Sequence, residues 1–284
     1  MRYDSIIIGS GPAGLSAAIN LKIYHKNFLW FGNKNFSEKI EKAELVKNYP
    51  GLPDITGQEL VQHYKEHATK MELEIVDKIV SAIYPMGDYY AVMAENEIYE
   101  TNTIILATGV VLTNQYIGEA EFLGRGVSYC ATCDGSLYKG KTIAVISTSK
   151  RFEHEVSYLA DLAKKVYLFP FYQECEIVRD NVELLKNAPK EITGGMRVEK
   201  LLLKTGEELE VEGVFILRNA IAPTTLLSGL ALEEGHIKVN RHMETNLRGV
   251  YAAGDGTGKP YQYTKAVGEG NIAAHGVIEF LGEK

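Results

Sequence analysis

The stretch GSGPAG, residues 9–14, has glycines at the first, third and sixth positions. It follows an apolar run at about Tyr3–Ile8 and precedes the segments AGLSAAINLKIY and NFLWF. This order predicts a strand, a glycine turn, a helix and a second strand, which together form a dinucleotide-binding βαβ unit. Gly9 would allow the tight turn, Gly11 the close approach of a pyrophosphate, and Gly14 the packing of helix on strand. The pyrophosphate would lie at the helix N-terminus, where free N–H groups attract an anion.

The end of the second predicted strand lacks a feature that such units usually have. An acidic residue normally binds the ribose hydroxyls about 20 residues after the glycines, but Gly32 and Asn33 occupy this place. The sequence therefore predicts that the ribose is held in another way. Two later strand exits, Thr101–Gly109 (TNTIILATG) and Gly249–Gly258 (GVYAAGDGTG), are predicted to belong to the same domain.

Composition narrows the class of protein. The chain has 284 residues, 45% of them hydrophobic and 24% charged, which suffices for one large or two modest domains. A net charge of -7 argues against a general nucleic-acid surface. No window reaches the roughly 20 apolar residues of a membrane span, and the N-terminus lacks the layout of a signal peptide. We expect a cytoplasmic protein with no nucleic-acid or membrane partner.

The stretch YCATCDG, residues 129–135, holds two of the three cysteines. Zinc would need further Cys or His ligands at regular spacing, and none are present, so we predict no metal site. Residues i and i+3 share one face of a helical turn, which allows the two sulfurs to meet. Cytosolic disulfides of this kind are usually catalytic. A redox-active pair is thus favoured, and two buried thiols are the alternative.

Several segments together carry a resemblance to a known family. GSGPAG, NYPG, EHATKMELEI, ILATG, GRGVSYCATCDG, GHIKV, YAAGDG and KAVGEGNIAA resemble, in order and spacing, those of the low-molecular-weight thioredoxin reductases over nearly the whole chain. The resemblance implies an α/β fold of two Rossmann-like, three-layer ββα/βαβ domains. An FAD domain, residues 1–113 and 243–284, would contain an inserted smaller central domain, residues 114–242. The central domain would carry the CxxC motif and a degenerate nucleotide site.

The resemblance also implies roles for individual residues. Cys133 would face the flavin, Cys130 would attack the disulfide of the partner protein, and Asp134 would donate and accept the proton. Such exchange needs a thiolate and a group that reprotonates the leaving thiol. The implied FAD-binding residues are Gly9, Ser10, Gly11, Pro12, Ala13, Gly14, Gly32, Asn48, Ala107, Thr108, Gly109, Gly254, Asp255, Gln262 and Tyr263.

The predicted second nucleotide turn departs from the family pattern. STSKRF has Ser147, Ser149 and Phe152 where NADPH-binding relatives have small residues in GxGxxG or GxGxxA. Pro170–Tyr172 replace a His-Arg-Arg cluster whose guanidinium groups bind the 2′-phosphate of NADPH. A glycine-containing turn is also replaced, by Arg218 and Asn219. We infer that the nucleotide fold persists and the NADPH site does not.

This pattern resembles the NADPH-independent, ferredoxin-dependent flavin thioredoxin reductases. The implied activity is that of an FAD-dependent oxidoreductase that takes electrons from ferredoxin and passes them through its dithiol to thioredoxin, as a homodimer. Three alternatives remain open at this point. They are an NADPH-dependent thioredoxin reductase, an FAD dithiol oxidase that uses oxygen, and a binding protein that retains a vestigial disulfide.

Overall fold

The computed structural model describes residues 1–110, 116–218 and 223–282. Its helices are α1 (Pro12–Ile23), α2 (Glu38–Glu41), α3 (Gly57–Lys70), α4 (Ala131–Asp134), α5 (Glu153–Leu162), α6 (Pro223–Leu226) and α7 (Tyr263–Gly282). Its strands are β1 (Arg2–Ile8), β2 (Phe28–Phe31), β3 (Val80–Pro85), β4 (Tyr90–Ala94), β5 (Glu97–Leu106), β6 (Val127–Ser128), β7 (Thr142–Ser147), β8 (Lys165–Pro170), β9 (Val182–Leu184), β10 (Pro189–Gly194), β11 (Val198–Leu203), β12 (Glu208–Glu210), β13 (Gly213–Leu217), β14 (Leu232–Glu233), β15 (His236–Ile237) and β16 (Val250–Ala252).

The chain forms two compact units. The first unit comprises Met1–Leu112 and Ala222–Lys284, and the inserted unit comprises Thr113–Ile221. Residues 222–242, which the sequence analysis assigns to the central domain, fall in the first unit. What each unit binds is a separate question, so the FAD-binding and redox-disulfide domains stay predictions. No helix in the described part of the chain combines the length and the apolar character of a bilayer span.

The first unit is built on a six-stranded sheet in the order β2-β1-β5-β4-β3, with β16 also paired to β5. Strands β2, β1, β5 and β16 run parallel, and β3 and β4 are antiparallel neighbours. β5 is long enough to pair with β4 through its first half and with β16 through its last three residues. The carboxyl ends of β1, β5 and β16 therefore meet at one edge of the sheet.

Local sequence explains why α1 follows β1 so closely. Gly11 is the N-cap and Pro12 opens the helix, a position at which the missing proline N–H costs nothing. One apolar core contains Leu21 of α1, Trp30 of β2 and Ile7 of β1, and each is at most 1% exposed. This core fixes the glycine turn between two rigid elements. The expected βαβ order is confirmed.

The inserted unit has a five-stranded, all-parallel sheet in the order β6-β13-β7-β8-β9. A separate antiparallel meander, β10-β11-β12, packs with it into a second apolar core that includes Phe169, Leu201 and Val214. Parallel strands with a crossover helix form a Rossmann-like arrangement. The α/β fold inferred from the sequence is confirmed.

Candidate functional site

Three turns meet at the carboxyl edge of the sheet of the first unit. Gly9 has φ 117° and lies so close to Ala107 that a side chain there would collide with the Ala107 carbonyl oxygen. A Cβ on Gly254 would lie 3.1 Å from the Cβ of Ala13, and one on Gly256 would lie 3.1 Å from the Gly109 carbonyl oxygen. Turns predicted from three distant stretches of sequence therefore line one site.

The first of these turns keeps its backbone open on the ligand side. Among the described residues, apart from the two chain neighbours of Gly11, no atom lies within 4 Å of the position that a Cβ on Gly11 would take. A Cβ on Gly14 would collide with the Gly9 carbonyl oxygen. Trp30 donates from Nε1 to that oxygen at 2.9 Å. The first turn of α1 carries no acidic residue. Its free N–H groups are thus available to a pyrophosphate, as the sequence predicts.

Residues near the first turn also match the predicted set. Ser10 Oγ donates to the Asn33 carbonyl oxygen at 2.9 Å, and a Cβ on Gly32 would lie 2.6 Å from the Ser10 side chain. Beyond this contact lies a cavity of about 440 Å³, lined by Asn33, Asn35, Glu41, Lys42 and Lys65. The cavity follows β2, where a ribose is expected.

The second turn contains a buried polar atom without a partner. Among the described residues, the hydroxyl oxygen of Thr108 is buried and makes no hydrogen bond. Ala107 is 6% exposed, and no described residue other than the chain neighbours of Gly109 comes within 4 Å of its Cβ position. A buried hydroxyl normally has a hydrogen-bond partner, so a bound group with polar atoms would satisfy it. This observation favours a dinucleotide bound at this turn.

The third turn is fixed by two residues that sequence reasoning missed. Lys265 donates from Nζ to the carbonyl oxygens of Gly254 at 2.9 Å and Gly258 at 2.7 Å. Glu269 accepts from the Gly254 N–H at 2.8 Å and pairs with Lys265 at 3.2 Å. Both side chains lie on α7 and are less than one-fifth exposed. Their i,i+4 spacing is a weak sequence signal, because a solvated surface pair has the same spacing.

Residues near the start of α7 complete the site. Asn48 donates from Nδ2 to Oε1 of Gln262 at 2.6 Å, although 214 positions separate them. Burial raises the pKa of the Tyr263 hydroxyl, and the Asp255 carboxylate raises it further. All the predicted FAD-binding residues lie in the first unit. Open backbone at Gly11, the unpaired Thr108 hydroxyl and the three converging turns fit FAD.

The two cysteines of the CxxC motif form a disulfide in the inserted unit, with their Cα atoms 5.3 Å apart. Cys130 is the N-cap of the short helix α4, and its Sγ accepts the Cys133 N–H at 3.2 Å. Asp134 ends the same helix, and its Oδ2 accepts the Ser128 hydroxyl at 2.7 Å. The residue that follows Cys133 is therefore a carboxylate with a fixed hydrogen-bond partner. Ser128 had no place among the predicted site residues.

The second nucleotide-like turn of the inserted unit is filled by its own side chains. Ser147 is buried and donates to the Ser149 carbonyl oxygen at 3.2 Å. Phe152 is 2% exposed and ends a short 3₁₀ turn, so its ring takes the space that a small residue leaves open. Helix α5 then begins with Glu153 and Glu155 in its first turn. Two carboxylates at a helix N-terminus stabilise the helix and repel a phosphate.

The neighbouring strand exit also lacks the groups that bind a phosphate. Phe171 is half-exposed, and the Tyr172 hydroxyl donates to Glu153 Oε1 at 3.1 Å. Burial raises the pKa of the Tyr172 hydroxyl, so this group stays neutral. A phenol bound to a carboxylate does not supply the paired cationic donors that a 2′-phosphate requires.

Arg218 follows β13 and takes part in a buried network. Its guanidinium forms an ion pair with Glu119 and lies over the Tyr129 ring at 5.1 Å. Tyr129 donates to Glu119 Oε1 at 2.7 Å, and the Tyr116 N–H donates to Oε2 at 3.1 Å. Burial lowers the pKa of Arg218. Protein side chains therefore fill the carboxyl end of β13, and Asn219 lies outside the described residues.

Comparison with known proteins identifies the family of the chain. Residues 3–151 and 171–270 match the pyridine nucleotide-disulphide oxidoreductase family. The thioredoxin reductase of Bacillus subtilis is 32% identical over 99% of this chain and 95% of its own. Two crystal structures described as ferredoxin-flavin thioredoxin reductases from Clostridium acetobutylicum are also similar. One has 49% identity, a TM-score of 0.90 and coverage of 100% and 99% of the two chains. The other has 42% identity, a TM-score of 0.91 and coverage of 100% and 98%.

The family match covers well over half of the chain, and the Bacillus subtilis relative spans almost all of it. Members of this family use FAD, and the three converging turns of the first unit fit that cofactor. The CxxC disulfide supplies the second redox group of such a protein. The chain therefore belongs to the pyridine nucleotide-disulphide oxidoreductases, as a flavin disulfide oxidoreductase of the thioredoxin reductase type.

Proposed function

We propose that this enzyme reduces thioredoxin with electrons from ferredoxin, through FAD and the Cys130–Cys133 pair, and does not use NADPH. One observation carries the proposal: the nucleotide turn of the inserted unit is filled by Phe152 and followed by Glu153 and Glu155, whereas the FAD turns stay open. The description of the similar Clostridium acetobutylicum structures as ferredoxin-flavin enzymes supports the donor. We further propose that the enzyme is a cytoplasmic homodimer.

The site residues have distinct tasks in this reaction. The glycine turn at Gly9–Gly14 would hold the pyrophosphate of FAD, and Asn48 with Gln262 would hold the flavin side of the cofactor. When bound, FAD supplies a carrier that accepts single electrons and delivers a pair, as disulfide reduction requires. The turn at Gly254 is kept in place by Lys265 and Glu269.

The exchange with thioredoxin is assigned to the residues of the CxxC segment. The thiolate of Cys130 attacks one sulfur of the thioredoxin disulfide, and the electron pair of the broken bond goes to the other sulfur. Asp134 gives its proton to that leaving sulfur. The Cys133 sulfur then attacks Cys130, which re-forms the enzyme disulfide and releases reduced thioredoxin. Cys133 gives up its proton to the second thioredoxin sulfur, so two electrons and two protons leave the enzyme.

An anaerobic titration tests the electron donor. Oxidised enzyme is mixed first with NADPH and then with reduced ferredoxin, and the visible absorption of the flavin is followed. We expect NADPH to leave the band unchanged and ferredoxin to bleach it. Rapid bleaching by NADPH would overturn the donor assignment. Peroxide release with dithiol substrates in air, without thioredoxin reduction by ferredoxin, would point instead to a dithiol oxidase.

Cysteine variants test the thiol path with a matched control. Cys130→Ser should abolish thioredoxin reduction while ferredoxin still bleaches the flavin, because the thiol that attacks the partner is gone. Cys175→Ser should keep full activity, since Cys175 is outside the disulfide. Thioredoxin reduction by Cys130→Ser at the wild-type rate would contradict the proposed path.

A further inference from the structure

Ser128 lies at a fixed position next to the disulfide. It ends strand β6, which pairs in parallel with β13 through Phe215, and its side chain is 3% exposed. Strand pairing fixes the backbone of Ser128, and burial of the residue restricts rotation of the side chain about χ1. A buried hydroxyl of this kind costs free energy unless it is hydrogen-bonded.

The hydroxyl contacts both ends of the CxxC segment. Oγ of Ser128 accepts the Cys130 N–H at 3.1 Å. It lies 2.7 Å from Oδ2 of Asp134 and 3.2 Å from the Cys130 carbonyl oxygen, and it can donate to either. One atom thus joins the attacking cysteine to the carboxylate assigned to proton transfer.

A serine hydroxyl has one hydrogen and two lone pairs, which limits how these contacts can be used. When Asp134 is ionised, the hydrogen goes to Oδ2, the nearer and charged acceptor, and a lone pair accepts the Cys130 N–H. When Asp134 is protonated on Oδ1, that O–H is available to a thioredoxin sulfur, and Oδ2 still accepts the serine hydrogen. All partners are satisfied in both states.

We propose that Ser128 is a positioning residue that holds Asp134 at the disulfide in both of its protonation states. The inference rests on the proposed function, in which the Asp134 carboxyl gives a proton to the leaving sulfur of thioredoxin. After that transfer Asp134 is a carboxylate, and Oδ2 keeps its hydrogen bond from Ser128. When water returns a proton to Oδ1, this bond is again unchanged. The carboxyl group need not move between turnovers.

A purely structural role for Ser128 would be limited to its hydrogen bonds with the Cys130 N–H and the Cys130 carbonyl oxygen. That role would make the loss of the hydroxyl independent of Asp134. Positioning predicts the opposite, since an effect that passes through the Asp134 carboxyl vanishes once the carboxyl is gone. The two roles can therefore be separated by a double-mutant cycle.

The experiment measures single-turnover reduction of thioredoxin by enzyme that ferredoxin has already reduced. We expect Ser128→Ala to slow this exchange on the order of tenfold, a part of the roughly 10²–10⁴ that a positioned acid contributes. The rate at which ferredoxin bleaches the flavin should not change. Ser128→Thr should restore the exchange rate, because threonine keeps the hydroxyl and suits a strand. Ser157→Ala, on α5, is the matched control and should behave as the wild type.

The decisive comparison adds Ser128→Ala to Asp134→Asn. We expect the double variant to be as slow as Asp134→Asn alone. A further tenfold loss would overturn the positioning role, whether or not the threonine variant folds, and so would a wild-type rate for Ser128→Ala. Failure of the wild type to reduce thioredoxin would instead reject the proposed function. An unchanged rate for Asp134→Asn would reject the proton role of Asp134, and with it the role of Ser128.

Discussion

Glu119 and Arg218 form a charged pair in the interior of the inserted unit. Their side chains are 1% and 9% exposed, and 99 positions separate them in the chain. Glu119 also accepts from the Tyr129 hydroxyl and from the Tyr116 N–H. Arg218 keeps one unsatisfied group, its buried Nε. The pair connects the start and the end of this unit to the residue that precedes Cys130.

Removing one charge of this pair should be costly. Glu119→Gln would leave the Arg218 guanidinium buried without a counter-charge, which typically costs about 3–5 kcal/mol. Urea denaturation, followed with a spectroscopic probe placed within the inserted unit, measures the loss in the free energy of unfolding. The control is Glu208→Gln, because Glu208 pairs with Lys200 at the surface. We expect the control to leave the midpoint unchanged. Equal midpoints of unfolding for both variants would show that the buried pair contributes no more to stability than the surface pair.

Sequence alone explains most of the elements around the first of the three converging turns. The first strand was expected at about Tyr3–Ile8 and is Arg2–Ile8. The first helix was expected from Ala13 and begins at Pro12. These boundaries are readable because apolar runs, a glycine turn and an N-terminal proline act within a few residues of one another. Local signals of this kind need no knowledge of the folded chain.

Other site residues could not be read in this way. Lys265 and Glu269 look like a solvated i,i+4 pair until the folded chain brings the Gly254 turn against them. Ser128 has no motif of its own, and its contact with Asp134 depends on how β6 enters the sheet. Long-range packing creates these contacts, and spacing along the sequence does not encode it. The predicted catalytic roles of individual residues stay predictions.

Helices α1 and α7 pack closely because one glycine on α7 lies against the backbone of α1. A Cβ on Gly270 would collide with the Ala13 carbonyl oxygen, whereas none of the surrounding atoms lies within 4 Å of a Cβ on Gly268. Both glycines are inside α7. Replacing either by alanine gains the same helix propensity, about 0.5–1 kcal/mol. The difference between the two variants therefore isolates the contact between the helices.

We expect Gly268→Ala to raise the free energy of unfolding of the first unit by up to about 1 kcal/mol. Gly270→Ala should lower it by about 1–3 kcal/mol, since the added methyl group forces the two helices apart. Thermal denaturation of the FAD-free protein, followed by far-ultraviolet circular dichroism, tests both. A stabilised Gly270→Ala variant would mean that α7 shifts without penalty.

At the scale of the whole molecule, each compact unit has its own apolar core. The proposed FAD residues all lie in the first unit, and the disulfide lies in the inserted unit. The family resemblance implies an FAD domain and a redox-disulfide domain, and these roles stay predictions. It placed the second boundary at residue 242, about 20 residues beyond the junction of the compact units at Ile221 and Ala222. Turn motifs mark where ligands bind, whereas contacts across the fold decide where a unit ends.

This division predicts that FAD stabilises one unit more than the other. A ligand that binds only the folded state adds RT ln(1 + [L]/Kd), about 2.7 kcal/mol at 100 times Kd. Hydrogen exchange of FAD-free protein, with and without added FAD, should show this protection in peptides of the first unit. Peptides from β7, β8 and β13 should change much less. Gly11→Ala is the matched variant, because its backbone is extended and its Cβ position is open. It should keep the stability of the FAD-free protein and need more FAD for the same protection, since the methyl group would stand where the pyrophosphate approaches.

Two outcomes would contradict these expectations. Equal protection of both units by FAD would show that they unfold together. Unchanged FAD affinity in Gly11→Ala would remove the Gly9–Gly14 turn from the cofactor site.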